Sequence, residues 1–489
     1  MTIINQSAAD LIDIWFMAQQ HNQPANGIYL RSLGAAGTVT GSKHLLIAPA
    51  MTVMVDCGLF QGIKALRERN WDKPPVDPAN VGAMVLTHAH LDHCGYIPLF
   101  VKNGYNGPIY MSGPTRDLTE IILRDCAKLQ EEDAARANRH GFSKHHPAQP
   151  LYTVKDVEKA LPLFKVCAIK TSIKLHQQLS FSLYPAGHIP GACSVKFDCY
   201  GKKILFSGDI GREHSELLPP PEPLQDADFV LMETTYGDRL HSASDTGQEM
   251  ALVINDTLFH KGNILIPCFA VGRAQEVMHL IHRLKQQNAI PKVIPVYLDS
   301  PMAASAGKVL LHHPQWFSID EKECAHMFSE VTINEDYEQT KKIIRRRGSK
   351  IILAASGMLT GGRVLEYLKH YLTDSRNMIL LIGFQAEGTR GRALQNKAGE
   401  LKIHGNYYPV KAVVKEIEGL SAHADQRELL NWLRQFAGSH PRVFLVHGEP
   451  GAQDTFRVKV KDELGLDTLI MQPDVPVLLF EGSTAEKTS

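Results

Sequence analysis

The chain has 489 residues, room for two or three domains of ordinary size. Hydrophobic residues make up 44% and charged residues 21%, a soluble globular balance that excludes disorder over most of the length. The 52 basic and 52 acidic side chains cancel, which excludes a protein that coats nucleic acid by bulk charge but allows a local basic groove.

Eight cysteines without a CxxC pair point to reduced thiols and a cytoplasmic location, not to a disulfide framework. No apolar run reaches the length of a membrane span, so no membrane partner is expected. The first 25 residues lack a basic start and carry Asp10 and Asp13, unlike a signal peptide.

Residues 8–20 read as one amphipathic helix carrying Leu11, Ile14, Trp15 and Met17, packed on the body or, as the alternative, serving as a partner-docking arm. From Gly27 to Gly58 three strands follow, broken by glycines. AMVLT, ending at Thr87, is a short buried strand. A long helix is predicted over 115–137, a polar loop over 138–150, a helix over 154–164, and strands at 179–185, 193–199 and 202–207. After about residue 238 strands alternate with helices. NILIPCF leads to a helix at 272–286, PVYLDS to one near 302–311, KIILAAS to one at 363–372, and MILLIG to a glycine-rich loop and a further helix. That alternation predicts a parallel α/β sheet. From about 409 come a strand (VKAVVKEI), a helix at 427–436, the strand RVFLVHG, another helix and a last strand.

The densest chemical signal is His88-Ala-His90-Leu-Asp92-His93, directly after the strand ending at Thr87. Imidazoles two apart on an extended loop can converge on one metal, and the Asp and His that follow can reach a second. This donor set suits zinc, with manganese also accommodated. Asp56 ends a strand in MVDCGLFQG, His188 lies in AGHIPGA and Asp209 in FSGDIG. Each stands at a strand end beside glycines that let the backbone turn sharply. Taken singly, each reads as a turn residue; the ordered series reads as a metal centre.

This series resembles the metallo-β-lactamase superfamily, and its spacing and large later insertion are similar to the β-CASP branch of nucleic-acid nucleases. The resemblance covers about residue 27 to 482. It implies an α/β protein with a four-layer αββα sandwich into which a parallel α/β domain is inserted. The division it implies is an extension at 1–26, a first sandwich part at 27–238, the β-CASP domain at 239–408 and a returning sandwich part at 409–489. It further implies that His88, His90 and His188 bind one zinc, that Asp92 and His93 bind a second, and that Asp209 bridges both. Asp56 supports the HxHxDH loop without binding metal. Two such ions lower the pKa of a bound water toward ~7 for attack on phosphorus.

Three further residues match the branch pattern. Glu233 ends the strand in FVLMETTYGD, His423 lies in GLSAHAD, and His447 lies in FLVHGE. By resemblance His447 completes the second zinc site, His423 protonates the leaving oxygen, and Glu233 hydrogen-bonds His423. Asp92 counts with His423 and Glu233 among the catalytic residues. Histidine at 447 is the pattern of RNA-directed members.

The insertion is expected to clamp phosphate at several strand-to-helix turns. The candidates are Arg273 in CFAVGRAQE, Ser356, Gly357, Gly361 and Gly362 in SGMLTGGR, and Thr389, Arg390 and Arg392 in FQAEGTRGR. Arg345-Arg346-Arg347 reads as a solvated helix end, the pairs His145-His146 and His312-His313 as surface, and Cys57 and Cys94 as small core residues. Relative to ribonuclease J and archaeal relatives, a long C-terminal domain and an N-terminal KH-type region are expected to be missing.

The expectation is therefore a ribonuclease with two zinc ions per chain, acting on single-stranded RNA. It would cut mainly endonucleolytically, leaving 5′-phosphate and 3′-hydroxyl ends. The alternatives are a 5′-to-3′ exoribonuclease or DNA-acting nuclease, a small-ester hydrolase, and a non-catalytic RNA-processing subunit.

Overall fold

The computed structural model describes residues 24, 26–141, 145–242 and 245–482, so the helix expected at 8–20 lies outside the described residues. Two seven-stranded sheets form the main body. The first runs, in spatial order, Val477–Glu481, Gly27–Ser32, His44–Ile47, Thr52–Val55, Val81–Val85, Ile109–Met111 and Phe164–Val166. The second runs Thr468–Ile470, Arg442–Val446, Phe229–Glu233, Lys202–Phe206, Cys193–Cys199, Leu179–Pro185 and Ile173–His176.

Strand periodicity sets which side chains meet. In Thr52–Val55, Val53 and Val55 face the second sheet's Phe181, Phe197 and Phe444, while Met54 points the other way. That other face packs with Ile97, Phe100, Leu118 and Leu123 of the helices Ile97–Lys102 and Gly113–His140. The second sheet likewise turns Leu205, Val230 and Leu445 toward Leu429, Leu433 and Phe456 of the helices Gln426–Arg434 and Pro450–Leu464. Packing thus orders the layers as helices, sheet, sheet, helices. Central strands such as Val81–Val85 are buried on both faces, which is why they read as apolar runs.

The inserted domain holds a six-stranded sheet in the order Thr332–Asn334, Val296–Asp299, Ile351–Ala354, Ile264–Pro267, Met378–Leu381 and Val413–Glu416, parallel throughout. Its last strand lies beyond residue 409, where the returning sandwich part was expected to begin. Val413–Glu416 pairs with Met378–Leu381, and Ile417 and Leu420 join the insertion's core beside Ile266 and Leu380. Sequence alone did not separate this strand from those of the returning segment. It also did not foresee the antiparallel hairpin of Glu400–Ile403 and Asn406–Pro409. His404 and Gly405 make its turn, both at positive φ (48° and 89°), the conformation a two-residue hairpin loop demands.

Two of the features read as surface are tied down. His313 Nε2 lies 2.9 Å from Asp117 Oδ2, joining the helix Pro301–His312 to the long helix of the sandwich. Arg346 donates to the Tyr297 hydroxyl at 2.5 Å. All eight cysteines are free thiols, and no described helix is long and apolar enough to cross a membrane.

Candidate metal centre

Strand ends from both sheets build the site on one rim. His88 and His90 follow the strand Val81–Val85 in extended backbone, and Asp92 and His93 lie in the short helix Leu91–Cys94. Asp56 follows Thr52–Val55, Asp209 follows Lys202–Phe206, and His447 follows Arg442–Val446. His188 sits between the hairpin strands Leu179–Pro185 and Cys193–Cys199. Close backbone approach explains two of the adjoining glycines. A Cβ on Gly58 would stand 1.5 Å from the Asp92 carbonyl oxygen, and one on Gly211 1.9 Å from that of Gly187. Asp56 and His447 adopt left-handed φ values of 60° and 47°, each costing about 1–3 kcal/mol for a non-glycine residue.

The donor atoms fall into two groups that meet at Asp209. In the first, His90 Nδ1 lies 3.1 Å from both His88 Nε2 and His188 Nε2. Asp209 Oδ2 is 3.4 Å from His88 Nε2 and 3.5 Å from His188 Nε2. In the second, His447 Nε2 is 3.3 Å from both His93 Nε2 and Asp92 Oδ2, and Asp209 Oδ1 is 3.3 Å from His93 Nε2. The ligand atoms of His88, His90, His188 and Asp209 lie within 4.8 Å of one another, as do those of Asp92, His93 and His447.

Hydrogen bonds on the far side of the rings decide which nitrogens carry protons. The Thr87 hydroxyl donates to Asp56 Oδ2 at 2.8 Å, so its oxygen accepts from His88 Nδ1 at 3.0 Å. The Thr235 hydroxyl donates to Glu233 Oε2 at 2.5 Å and accepts from His447 Nδ1 at 3.1 Å. His188 Nδ1 donates to the Ala422 carbonyl at 3.2 Å, and His93 Nδ1 to Asp56 Oδ2 at 2.7 Å. All four rings thus donate through Nδ1 and direct Nε2 into the site, although Asp209 and Asp56 outweigh burial and raise the pKa of His93, so its ligation would release a proton. Asp56 also accepts the Thr87 N–H at 2.7 Å, which fixes the start of the HxHxDH loop.

Imidazole nitrogens packed 3.1–3.3 Å apart around a buried Asp209, whose Oδ1 has no hydrogen-bond partner, fit a cation. Burial pushes His88, His90 and His188 below the usual imidazole range, His90 to about 4, so they stay neutral and ready to ligate. Cys57 and Cys94 take no part: both are fully buried, and burial raises both thiols, Cys57 to about 12.

Beside the donors stands a histidine–carboxylate pair. His423 Nδ1 lies 3.0 and 3.2 Å from the two oxygens of Glu233, and its Nε2 faces Asp209 Oδ2 at 3.9 Å. Glu233 also accepts from Ile210 N at 2.7 Å and from Thr235 N at 3.2 Å, so its oxygens are fully engaged. Burial opposes charge on His423, but Glu233 and Asp209 outweigh it and raise the ring's pKa.

Sequence comparison now decides the family. Residues 45–247 match the model of the metallo-β-lactamase superfamily, 274–394 that of the β-CASP domain, and 407–471 that of a Zn-dependent metallo-hydrolase RNA specificity domain. The chain is 38% identical over 426 residues to Ribonuclease TTHA0252 of Thermus thermophilus, spanning 85% of this chain and 92% of that one. The chain belongs to the β-CASP branch of the metallo-β-lactamase superfamily. Transcription termination factor FttA of Methanocaldococcus jannaschii is 31% identical over 436 residues, 85% of this chain and 66% of its own. The RNase J-like protein of the same organism is 29% identical over 425 residues, 86% of this chain and 92% of its own. A crystal structure from Enterococcus faecalis, titled a protein of unknown function, shares the fold at a TM-score of 0.51 and 12% identity, covering 92% of this chain and all of that one.

The β-CASP insertion roofs the centre. Phe269 stands 5.7 Å from the His90 ring, and Val39 of the sandwich packs with Met358, Ala386, Phe269 and Phe384 of the insertion. The loops expected to clamp phosphate do leave neighbouring parallel strands at one edge, after Pro267, Ala354 and Leu381. Their polar groups, however, are engaged inside the protein. Arg273 is 6% exposed and ion-paired with Glu276. The Ser356 hydroxyl accepts from Thr360 N at 3.0 Å and Gly361 N at 3.3 Å, closing the turn that runs on to Gly362 on itself. The Thr389 hydroxyl caps the helix Arg390–Gln395 at Arg392 N, Arg390 donates to the carbonyls of Leu359, Thr360 and Lys402, and Arg392 pairs with Glu449. Gly357 packs beneath Phe269.

Thr87 and Thr235, which set two histidine tautomers, were not singled out from sequence. Their only signal is a hydroxyl residue beside each motif, in LTHAH and METTYGD.

Proposed function

We propose that this chain is a two-zinc ribonuclease cutting single-stranded RNA internally, leaving 5′-phosphate and 3′-hydroxyl ends. One observation carries the reading: two groups of ligand atoms meet at Asp209, with the Nε2 of His423 3.9 Å away. The names of the relatives, two of them ribonucleases, and the RNA specificity segment at 407–471 support RNA as the substrate of this metal-dependent hydrolase.

In this reading His88, His90 and His188 hold one zinc, Asp92, His93 and His447 the second, and Asp209 both; manganese fits the same nitrogen and oxygen donors. When bound, the ions supply a water acidified toward a pKa of ~7 and neutralise charge on the phosphate. The protein's own part is positional and acidic. Asp56, Thr87 and Thr235 hold the ligand rings in one tautomer. Glu233 holds the Nδ1–H of His423, so the Nε2 proton faces the reacting centre and passes to the leaving oxygen. Free thiols suit a reducing compartment, and the cytoplasm is the proposed location.

A 5′-labelled single-stranded RNA, incubated with zinc-loaded protein and with Asp209→Ala and His423→Ala variants, tests the reading. Internal fragments with 3′-hydroxyl ends, lost in both variants, are expected. Release of mononucleotides alone would replace the endonucleolytic mode with a 5′-to-3′ exonucleolytic one. Intact RNA with metal present at two equivalents per chain would overturn the reading.

A further inference from the structure

A continuous series of contacts leads from the metal centre to the hairpin at residues 400–409. The His90 ring lies 5.7 Å from Phe269. Phe269 lies against Gly357, where a Cβ would approach its ring to 2.9 Å. The same loop presents the carbonyls of Leu359 and Thr360 to Arg390 Nη1 at 3.0 and 3.2 Å, and Arg390 Nε reaches on to the Lys402 carbonyl at 2.7 Å. Lys402 is paired across the hairpin with Tyr407, its Nζ 5.4 Å from the ring centre.

The two faces of the hairpin differ. Leu401 and Ile403 are buried in the insertion's core, whereas Lys402 and Tyr407 face outward, Tyr407 being 60% exposed. An aromatic ring left in water beside an amine contributes little to folding. Three main-chain carbonyls held by one guanidinium nonetheless keep the hairpin in a fixed place. The surroundings carry several basic groups, with Glu400 on the same outward face as Lys402 and Glu366 paired to Lys369. Lys369, Arg136 and Arg390 all press on His404 at the turn, adding to burial in lowering its pKa, with Glu366 opposing. Across the domain boundary, Gly388 packs on Ile63, and Arg67 follows one turn later on the helix Lys64–Glu68, its charge acting on Arg390. Arg67 and Lys402 are exposed, and neither forms an ion pair among the described residues.

We infer that the outer face of the 400–409 hairpin is a second contact for single-stranded RNA, remote from the scissile bond, where Tyr407 stacks on a base and Lys402 meets a backbone phosphate. Stacking platforms interleaved with cations are how proteins hold single strands without reading sequence. The inference rests on RNA being the substrate. Its consequence is a length threshold: RNA long enough to reach from the metal centre to the hairpin binds better than RNA that ends short of it.

The test measures KM and kcat for a graded series of single-stranded RNAs, with zinc-loaded wild type, Tyr407→Ala, Lys402→Ala and the control Tyr407→Phe. Affinity for the same RNAs is read by fluorescence anisotropy in an Asp209→Asn background. Tyr407→Ala should raise KM and weaken binding of long RNA by roughly five-fold or more, with kcat unchanged. Lys402→Ala should flatten the logarithmic salt dependence by about 0.7. Short RNA should not distinguish the variants, and Tyr407→Phe should behave as wild type. Equal affinity of all variants for every length overturns the inference, as does a loss that is the same for short and long RNA. If wild type cleaves no RNA while Tyr407→Ala still loses affinity for long RNA alone, the hairpin contact stands and the ribonuclease reading falls.

Discussion

The floor and the roof of the site are built on opposite terms. On the floor, contributed by the sandwich, five imidazole nitrogens and three carboxylate oxygens converge on one another. On the roof, contributed by the insertion, Arg273, Arg363, Arg390 and Arg392 each already hold a carboxylate or a carbonyl of the protein. A cluster of mutually repelling donors is unstable alone and waits for an ion. A satisfied guanidinium is part of the scaffold, however much its motif looks like a ligand site. Unmet demand, more than residue type, separates the two.

That contrast can be broken at several points. The largest effect is expected on the floor: Asp209→Ala, or chelation, removes several kcal/mol of charge stabilisation and should lower cleavage on the order of 10³-fold or more, with metal content measured alongside. His423→Ala should cost about 10²–10⁴-fold in kcat while zinc per chain, read by elemental analysis, stays at the wild-type level. Loss of metal in that variant would make His423 a ligand instead of an acid. The acid must be protonated to work, and Glu233 raises its pKa, so the rate falls as pH rises through that pKa. Glu233→Gln should move the fall to lower pH, and an unshifted profile would remove Glu233 from that role. Asp56→Asn and Thr235→Val, each of which removes a hydrogen-bond partner from the back of a ligand ring, should weaken metal binding roughly 10- to 100-fold in competition with a chelating dye. The smallest effect on RNA belongs to the roof. Arg273→Met should lower unfolding stability by roughly 3 kcal/mol and leave the KM for RNA unchanged.

The metal donors were legible because four of them share one local motif, while His188 and Asp209 lie in glycine-bearing segments that follow strands. His88, His90, Asp92 and His93 span six residues and need one turn to converge. The threonine relays were not legible, because what they do depends on partners chosen by the fold: Thr87 meets Asp56 31 positions away, and Thr235 meets His447 212 positions away. The partners of the GTRGR cations were hidden for the same reason, since the Glu449 that engages Arg392 lies 57 residues on. The order of helices and strands in the insertion followed from its alternation, yet its end did not. VKAVVKEI reads as a strand in either domain, and only its pairing with Met378–Leu381 assigns it.

His93 and His447 face each other across 3.3 Å of space and 354 residues of chain, with the whole insertion in between. An ion held by both would act as a reversible cross-link around that loop. In the chain-entropy picture, a clip of this span removes about 6 kcal/mol of freedom from the unfolded state. The insertion, which supplies none of the ligands, would share in that restraint. Chelation should therefore expose not only the sandwich rim but also sites within residues 246–420 to limited proteolysis, so that the ion serves as a fastener for the roof it never touches.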